Sequence, residues 1–337
     1  MRKTSLFLIL VFFGVSSKLL AQIHSTVKSS ERYYVLRVDS VQIDDIEACL
    51  KIYKQLEEMG YMVYYDKFRR DRWTWMWKIS VGIFKAMTQA QEFKQRLERT
   101  TGKKASIDST KFFVDRHQDD FMVVTTPSTI WLKKQNIYTE LFRIELAKSA
   151  RHFHPDYNQA ILSPDGSQIV FYYESQIIKV DINTRKTTVM VKQGQIPYLL
   201  NSSPRWSPSG KYIAFRDVVD FEALSNLWIV NEDGTNLRRL VEPSEQSHAV
   251  KSFLWHPTKD VIYFVEGFGH GTVHVGGDLL LTDLEGNRKV LVEKNLEKQQ
   301  EVFRDFYINN DSLFYKIAHF RDNYMYVDFT QHSININ

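Results

Sequence analysis

The residue types best suited to chemistry lie in one glycine-rich run, Gly267-Phe268-Gly269-His270-Gly271-Thr272-Val273-His274-Val275-Gly276-Gly277-Asp278. Two imidazoles and a carboxylate are donors of the kind that hold zinc. A spacing of four brings two His side chains together on a helix, and a run this rich in glycine is not helical. It reads as a long loop between strands, with Phe268, His270, His274 and Asp278 as contacts for a partner. His152-Phe153-His154-Pro155-Asp156 is a second such cluster and reads the same way. Cys49 is the only cysteine, so the chain can form no internal disulfide and no cysteine-based zinc site is expected. Between Ala48 and Leu50 it reads as a small core residue. The sequence contains no Gly-x-Ser-x-Gly elbow, P-loop, His-Glu-x-x-His or dinucleotide fingerprint. These observations predict a non-enzymatic chain with no catalytic residues, metal or cofactor.

The chain has 337 residues, enough for two domains, and its 17 Tyr and 22 Phe favour strands. Its start has the form of a secretory signal: Arg2 and Lys3, an apolar run Leu6 to Val15, Lys18, then Leu19-Leu20-Ala21 before Gln22. The expectation is export with cleavage after Ala21, leaving no integral membrane segment, since a bilayer span takes about 20 apolar residues. No Cys follows the apolar run for lipid attachment. Lys plus Arg number 44 against 40 Asp plus Glu. Loss of Arg2, Lys3 and Lys18 with the signal leaves 41 against 40, a balance that gives no case for nucleic acid.

Residues 31–108 spell strand, helix, strand, strand, helix, strand. Tyr33 to Ser40 alternates as a strand. Ile46, Cys49, Leu50, Tyr53 and Leu56 form an apolar helical stripe that ends at Gly60. Tyr61 to Tyr65 is a second strand, and Lys67 to Arg72 a basic hairpin. In the third strand Trp73, Trp75, Trp77, Ile79 and Val81 share one face. A helix from Met87 to Arg99 stops at Gly102, and Lys104 to Ile107 is a short last strand. The pattern Tyr33-Tyr34-Val35, Gly60-Tyr61, and Trp77-Lys78-Ile79-Ser80-Val81-Gly82-Ile83-Phe84 with Ala90 in the following helix resembles a SPOR domain. That resemblance implies an α+β sandwich, βαββαβ, binding peptidoglycan glycan strands stripped of stem peptides. Its glycan-facing residues would be Arg37, Ser40, Thr74, Lys78 and Ser80, as donors to sugar hydroxyls. Arg37 and Asp39 stand where that family often has Gln and a small residue. The same five residues read equally well as a solvated sheet face.

Residues 111–337 repeat. Leu162-Ser163-Pro164-Asp165-Gly166, Trp206-Ser207-Pro208-Ser209-Gly210 and Trp255-His256-Pro257-Thr258-Lys259 each precede a strand, at intervals of 44 and 49 residues. Four-stranded propeller blades have periods near 40 to 50. Pro presets one backbone angle of the turn and Gly takes the position with positive φ. With weaker flanking blades at Phe112 to Leu146 and Val302 to Phe329, the expectation is an all-β propeller of about five blades. The repeats resemble the TolB-like propellers, also found in prolyl oligopeptidases, which implies a scaffold that binds protein partners. The whole chain then reads as an exported cell-envelope adaptor that holds glycan with its first module and an envelope protein with its propeller. The alternatives are a propeller enzyme or ligand-binding protein acting on wall glycan or peptide, marked by carboxylates or His at the channel mouth, and a purely structural envelope protein.

Overall fold

The computed structural model describes residues 30–337 apart from 43, 73, 119–120, 136, 145–158, 198, 200–201, 218–224, 270–274 and 323–325. The leader, Trp73, the His152/His154 cluster, His270 and His274 therefore lie outside the described residues.

The first module has the expected order: β1 (Ser30–Gln42), α1 (Ile46–Glu58), β2 (Val63–Arg69), β3 (Trp75–Phe84), α2 (Met87–Thr101) and β4 (Ser106–Gln118). Asp45 caps α1 by accepting the Ala48 N–H at 3.0 Å. Gly102, at φ +69°, closes α2. Under the helices Val38, Cys49, Tyr53, Leu56, Trp77, Ile79 and Leu97 form one core. Burial pushes the Cys49 thiol up to about 12, as suits a core residue rather than a nucleophile.

β4 does not end near residue 108. It pairs with β1 along Ser106 to Phe113 and then with β5 (Phe121–Thr125) from Phe113 to Gln118. One strand thus belongs to both halves of the chain. With β6 (Thr129–Lys134) and β7 (Ile137–Arg143) it makes a single antiparallel sheet, ordered β2-β3-β1-β4-β5-β6-β7. Strand twist coils this sheet until its two edges meet. The Tyr65 N–H donates to Ser128 Oγ at 3.0 Å, and the Tyr65 hydroxyl to the Ile144 carbonyl. Arg143 pairs with Glu57 of α1. The face turned away from the helices is therefore largely enclosed, and Tyr33, Val35, Tyr64, Phe112, Val114, Met122, Val124 and Trp131 pack there as one cluster.

β4 to β7 also serve as the first blade. The second is β8 (Ile161–Leu162), β9 (Gln168–Tyr173), β10 (Gln176–Asp181) and β11 (Thr187–Val191). The third is β12 (Arg205–Trp206), β13 (Tyr212–Arg216), β14 (Leu227–Asn231) and β15 (Arg238–Val241). The fourth is β16 (His248–Trp255), β17 (Ile262–Phe268), β18 (Gly276–Thr282) and β19 (Arg288–Val292). In the last blade β20 (Gln300–Phe303) and β21 (Tyr307–Asn309) both pair with one side of β22 (Ser312–Arg321), and β23 (Tyr326–Asn335) pairs with the other. Apolar cores fill each gap from the first blade to the fifth. Between the fifth and the first, no such core occurs among the described residues. β20 crosses onto β18 at Gly276 and Gly277, where a Cβ on Gly276 would stand 1.8 Å from the Val302 carbonyl oxygen.

The repeated turns share one device. Ser163 Oγ accepts the Gln168 N–H at 3.0 Å and Ser207 Oγ accepts the Tyr212 N–H at 3.2 Å. In the third repeat the imidazole of His256 takes over: its Nδ1 accepts the N–H groups of Thr258 and Lys259, both at 3.1 Å. The proton then sits on Nε2, which donates to the Ile336 carbonyl at 3.2 Å.

Two outcomes follow from this architecture. An excised 30–108 fragment gives no cooperative urea transition, whereas 30–144 does, because the enclosed face needs β4 to β7 to cover it. The second concerns His256, whose pKa burial pulls below its ordinary 6.5. The fold favours the neutral ring, so this contribution is intact above pH 6.5 and is lost as pH falls through the lower folded value. His256→Ser, the residue of the other repeats, is about 1 kcal/mol less stable at pH 7, but its urea midpoint declines less than wild type between pH 7 and pH 5.

Candidate functional site

The inner strands of the five blades surround a cavity of about 570 Å³ at the end of the channel that carries the repeated turns. Asp115 and His117 enter from β4, Leu162 from β8, Arg205 and Trp206 from β12, Trp255 from β16 and Ile308 from β21. Their spacing is held by hydrogen bonds that pass from each blade to the next. Asp115 Oδ2 accepts the Leu162 N–H at 2.7 Å. The Trp206 indole N–H donates to the Ile161 carbonyl, and that of Trp255 to the Arg205 carbonyl, both at 3.2 Å. The aromatic before each later Ser-Pro or His-Pro turn is therefore a strap between inner strands as well as an apolar residue.

The charges in this mouth are mixed and uneven in character. Asp115 is buried. Desolvation raises its carboxyl to about 6, opposed by the Leu162 N–H and by Arg205. Burial lowers Arg205 in turn, with Asp115 working against that shift. Arg205 Nη1 donates to the Pro204 carbonyl at 3.3 Å. At the rim, burial opposes ionisation of Asp165, but donors from Ser163 and Ser167 hold its carboxyl below the usual range. Glu232 is paired with Lys179 at 3.3 Å, Arg116 Nε donates to Glu31 at 2.9 Å, and Lys211 lies exposed on the rim. The mouth thus offers both signs of charge beside two indole rings, a surface suited to a polypeptide segment. No group of three or more His, Cys, Asp or Glu among the described residues is arranged to hold a metal ion.

The expected glycan-facing residues fare differently. Arg37 and Ser40 on β1 do lie opposite Ser80 and Lys78 on β3. Ser80, however, is fully buried by the coiling of the sheet and is out of a ligand's reach. Lys78 Nζ stands 3.9 Å from Asp66 and 4.0 Å from Asp108, and Arg37 Nε donates to Ser106 Oγ at 3.2 Å with Asp108 at 3.8 Å. The cations on this face are therefore matched by the chain's own carboxylates. Ser40 is exposed, and Thr74 sits at the hairpin base with its N–H donating to Asp71 at 2.9 Å.

Phe268 and Asp278 are brought together by Lys294. Its ammonium lies 4.8 Å from the Phe268 ring and its main-chain N–H donates to Asp278 at 2.5 Å. They stand at the far end of β17 and β18: Phe268 is six residues, roughly 20 Å, along β17 from Ile262, which pairs with Trp255 of the mouth, and Asp278 is four residues along β18 from Thr282, which pairs with Ile262. Phe268 and Asp278 thus lie at the opposite end of the blade from the cavity. Sequence reading missed Asp115 and Arg205. A charge within the apolar run Phe112-Phe113-Val114-Asp115, and an Arg just before Trp206, are the signals that could have found them.

No family model and no curated protein matches the chain. Among solved structures it is similar to TolB from Acinetobacter baumannii, at 12% identity over 83% of this chain and 80% of that one, TM-score 0.37. It is also similar to the β-propeller domain of the Trilobed protease from Pyrococcus furiosus, at 14% identity over 67% and 65%, TM-score 0.39. A third is Porphyromonas gingivalis dipeptidyl peptidase 4, at 10% identity over 68% and 44%, TM-score 0.34.

Because the folded pKa of Asp115 is raised, its contribution to stability is full below the ordinary 3.8 and is lost as pH rises through about 6. Asp115→Asn keeps an acceptor for Leu162. Its unfolding free energy should gain on wild type by about 2 kcal/mol between pH 4 and pH 8, read from urea curves at the two pH values.

Proposed function

We propose that this chain is an exported, non-catalytic binding protein of the cell envelope, and that its central cavity grips a polypeptide segment of a protein partner. The observation that carries this reading is the cavity itself: five inner strands converge on one mouth lined by Trp206, Trp255, Arg205 and Asp115. Indole and guanidinium groups are the side chains that most often dominate protein recognition. The first module acts as a buttress that shares β4 with the first blade and fixes Asp115 and His117 at the mouth. On this reading glycan contact is confined to the open edge at Ser40 and Thr74. Residues 1–21 would direct export; no helix among the described residues is long and apolar enough to cross a membrane.

A photo-crosslinking residue at Lys211, on the rim, tests this in cells. It should give a discrete envelope-protein adduct that the same residue at Val189, exposed on an outer strand, does not. Arg205→Ala should lower the adduct yield at least about tenfold. Equal labelling from both positions, or a yield indifferent to Arg205, contradicts the proposal. The mature protein should begin at Gln22 when recovered from the envelope fraction.

A further inference from the structure

At the channel end away from the cavity, three cations gather against two buried carboxylates, Asp217 and Glu301. Arg216, the last residue of β13, lays its guanidinium on the main chain of β16, donating to the Val250 carbonyl at 2.8 Å and to that of Lys251. The register slips between Val250 and Ser252, so Lys251 is the extra residue of a bulge. Ser252 Oγ donates to the Arg304 carbonyl just beyond β20, which brings the fifth blade alongside the same bulge. Three blades thus deliver Arg216, Lys251 and Arg304 to one place. None of the three has an ion-pair partner within 4 Å among the described residues. The two nearby acids are hydrogen-bonded to other donors: Asp217 receives the side chains of Asn226 and Trp228, both at 2.8 Å, and Glu301 receives the Gly276 N–H at 3.2 Å. Burial lowers both Arg216, to about 10, and Lys251; repulsion from Arg304 adds to each shift, while Asp217 opposes it at Arg216 and Glu301 at Lys251.

We propose that Arg216, Lys251 and Arg304 form a binding site for an oxyanion, a phosphate or carboxylate group, at this far end of the channel. A planar guanidinium held by two carbonyls keeps a fixed edge for such a group, and a lysine and a second arginine add charge around it. The site is separate from the cavity and stands whether or not the cavity takes a partner segment.

The test is thermal unfolding of the full mature chain with inorganic phosphate or succinate, against sodium chloride at equal ionic strength. The expected result is a saturable rise in Tm with at least one of the two, since a ligand of the native state alone stabilises by mass action. Which one raises it identifies the group. Lys251→Gln and Arg304→Gln leave the Arg216 contacts to the main chain in place, and each should weaken apparent binding about tenfold or more. No rise above the chloride control overturns the proposal, as does a rise that both variants retain.

Discussion

The length of β4 governs the rest of the structure. Its first half completes the sheet of the first module and its second half is the inner strand of the first blade. A strand cannot bend sharply between two neighbours without breaking its ladder, so the two halves of the chain are tied at a fixed angle. The sheet coils about this strand, encloses the face that carries Tyr33, Tyr64 and Phe112, and brings Tyr65 against Ile144. Ser80 is buried for the same reason, and the polar cluster of Arg37, Lys78, Asp66 and Asp108 lies on the same coiled face.

From β4 the order passes round the channel. Asp115 holds Leu162, Trp206 holds Ile161, Trp255 holds the carbonyl beside Trp206, and His256 holds the Ile336 carbonyl. The straps that set the blade spacing are the side chains that line the cavity. That dual use explains why a buried carboxylate is tolerated at Asp115: it accepts the Leu162 main-chain N–H, and Arg205 moderates the desolvation. On the proposed function, stability and recognition draw on the same groups; the two faces of the propeller differ in kind. One is a mixed-charge mouth with indoles; the other carries the bulge at Lys251 and the Lys294 cluster.

Much of this was legible in the residues. Asp45 and Gly102 mark helix ends, the apolar stripe through Cys49 and Leu56 faces the sheet, and the Ser-Pro and His-Pro turns place the inner strands of three blades. The boundary was not. Ser109-Thr110-Lys111 has the composition of a linker, yet main-chain pairing with Arg32 to Tyr34 keeps it in a strand, and pairing of that kind leaves little trace in side-chain pattern. Alternation correctly separated Lys78 and Ser80 from Trp77 and Ile79, but which face meets water depends on how far the sheet coils, a property of seven strands together. Asp115 was passed over because its role depends on Leu162 and Arg205, far away in sequence and adjacent only in the closed arrangement.

Native-state hydrogen exchange along β4 tests the shared strand most directly. The paired amides from Ser106 to Gln118 should open together, with one free energy close to that of global unfolding and the same denaturant slope. Two blocks with separate free energies, divided near Lys111, would show that the module and the propeller unfold independently, and would contradict the account.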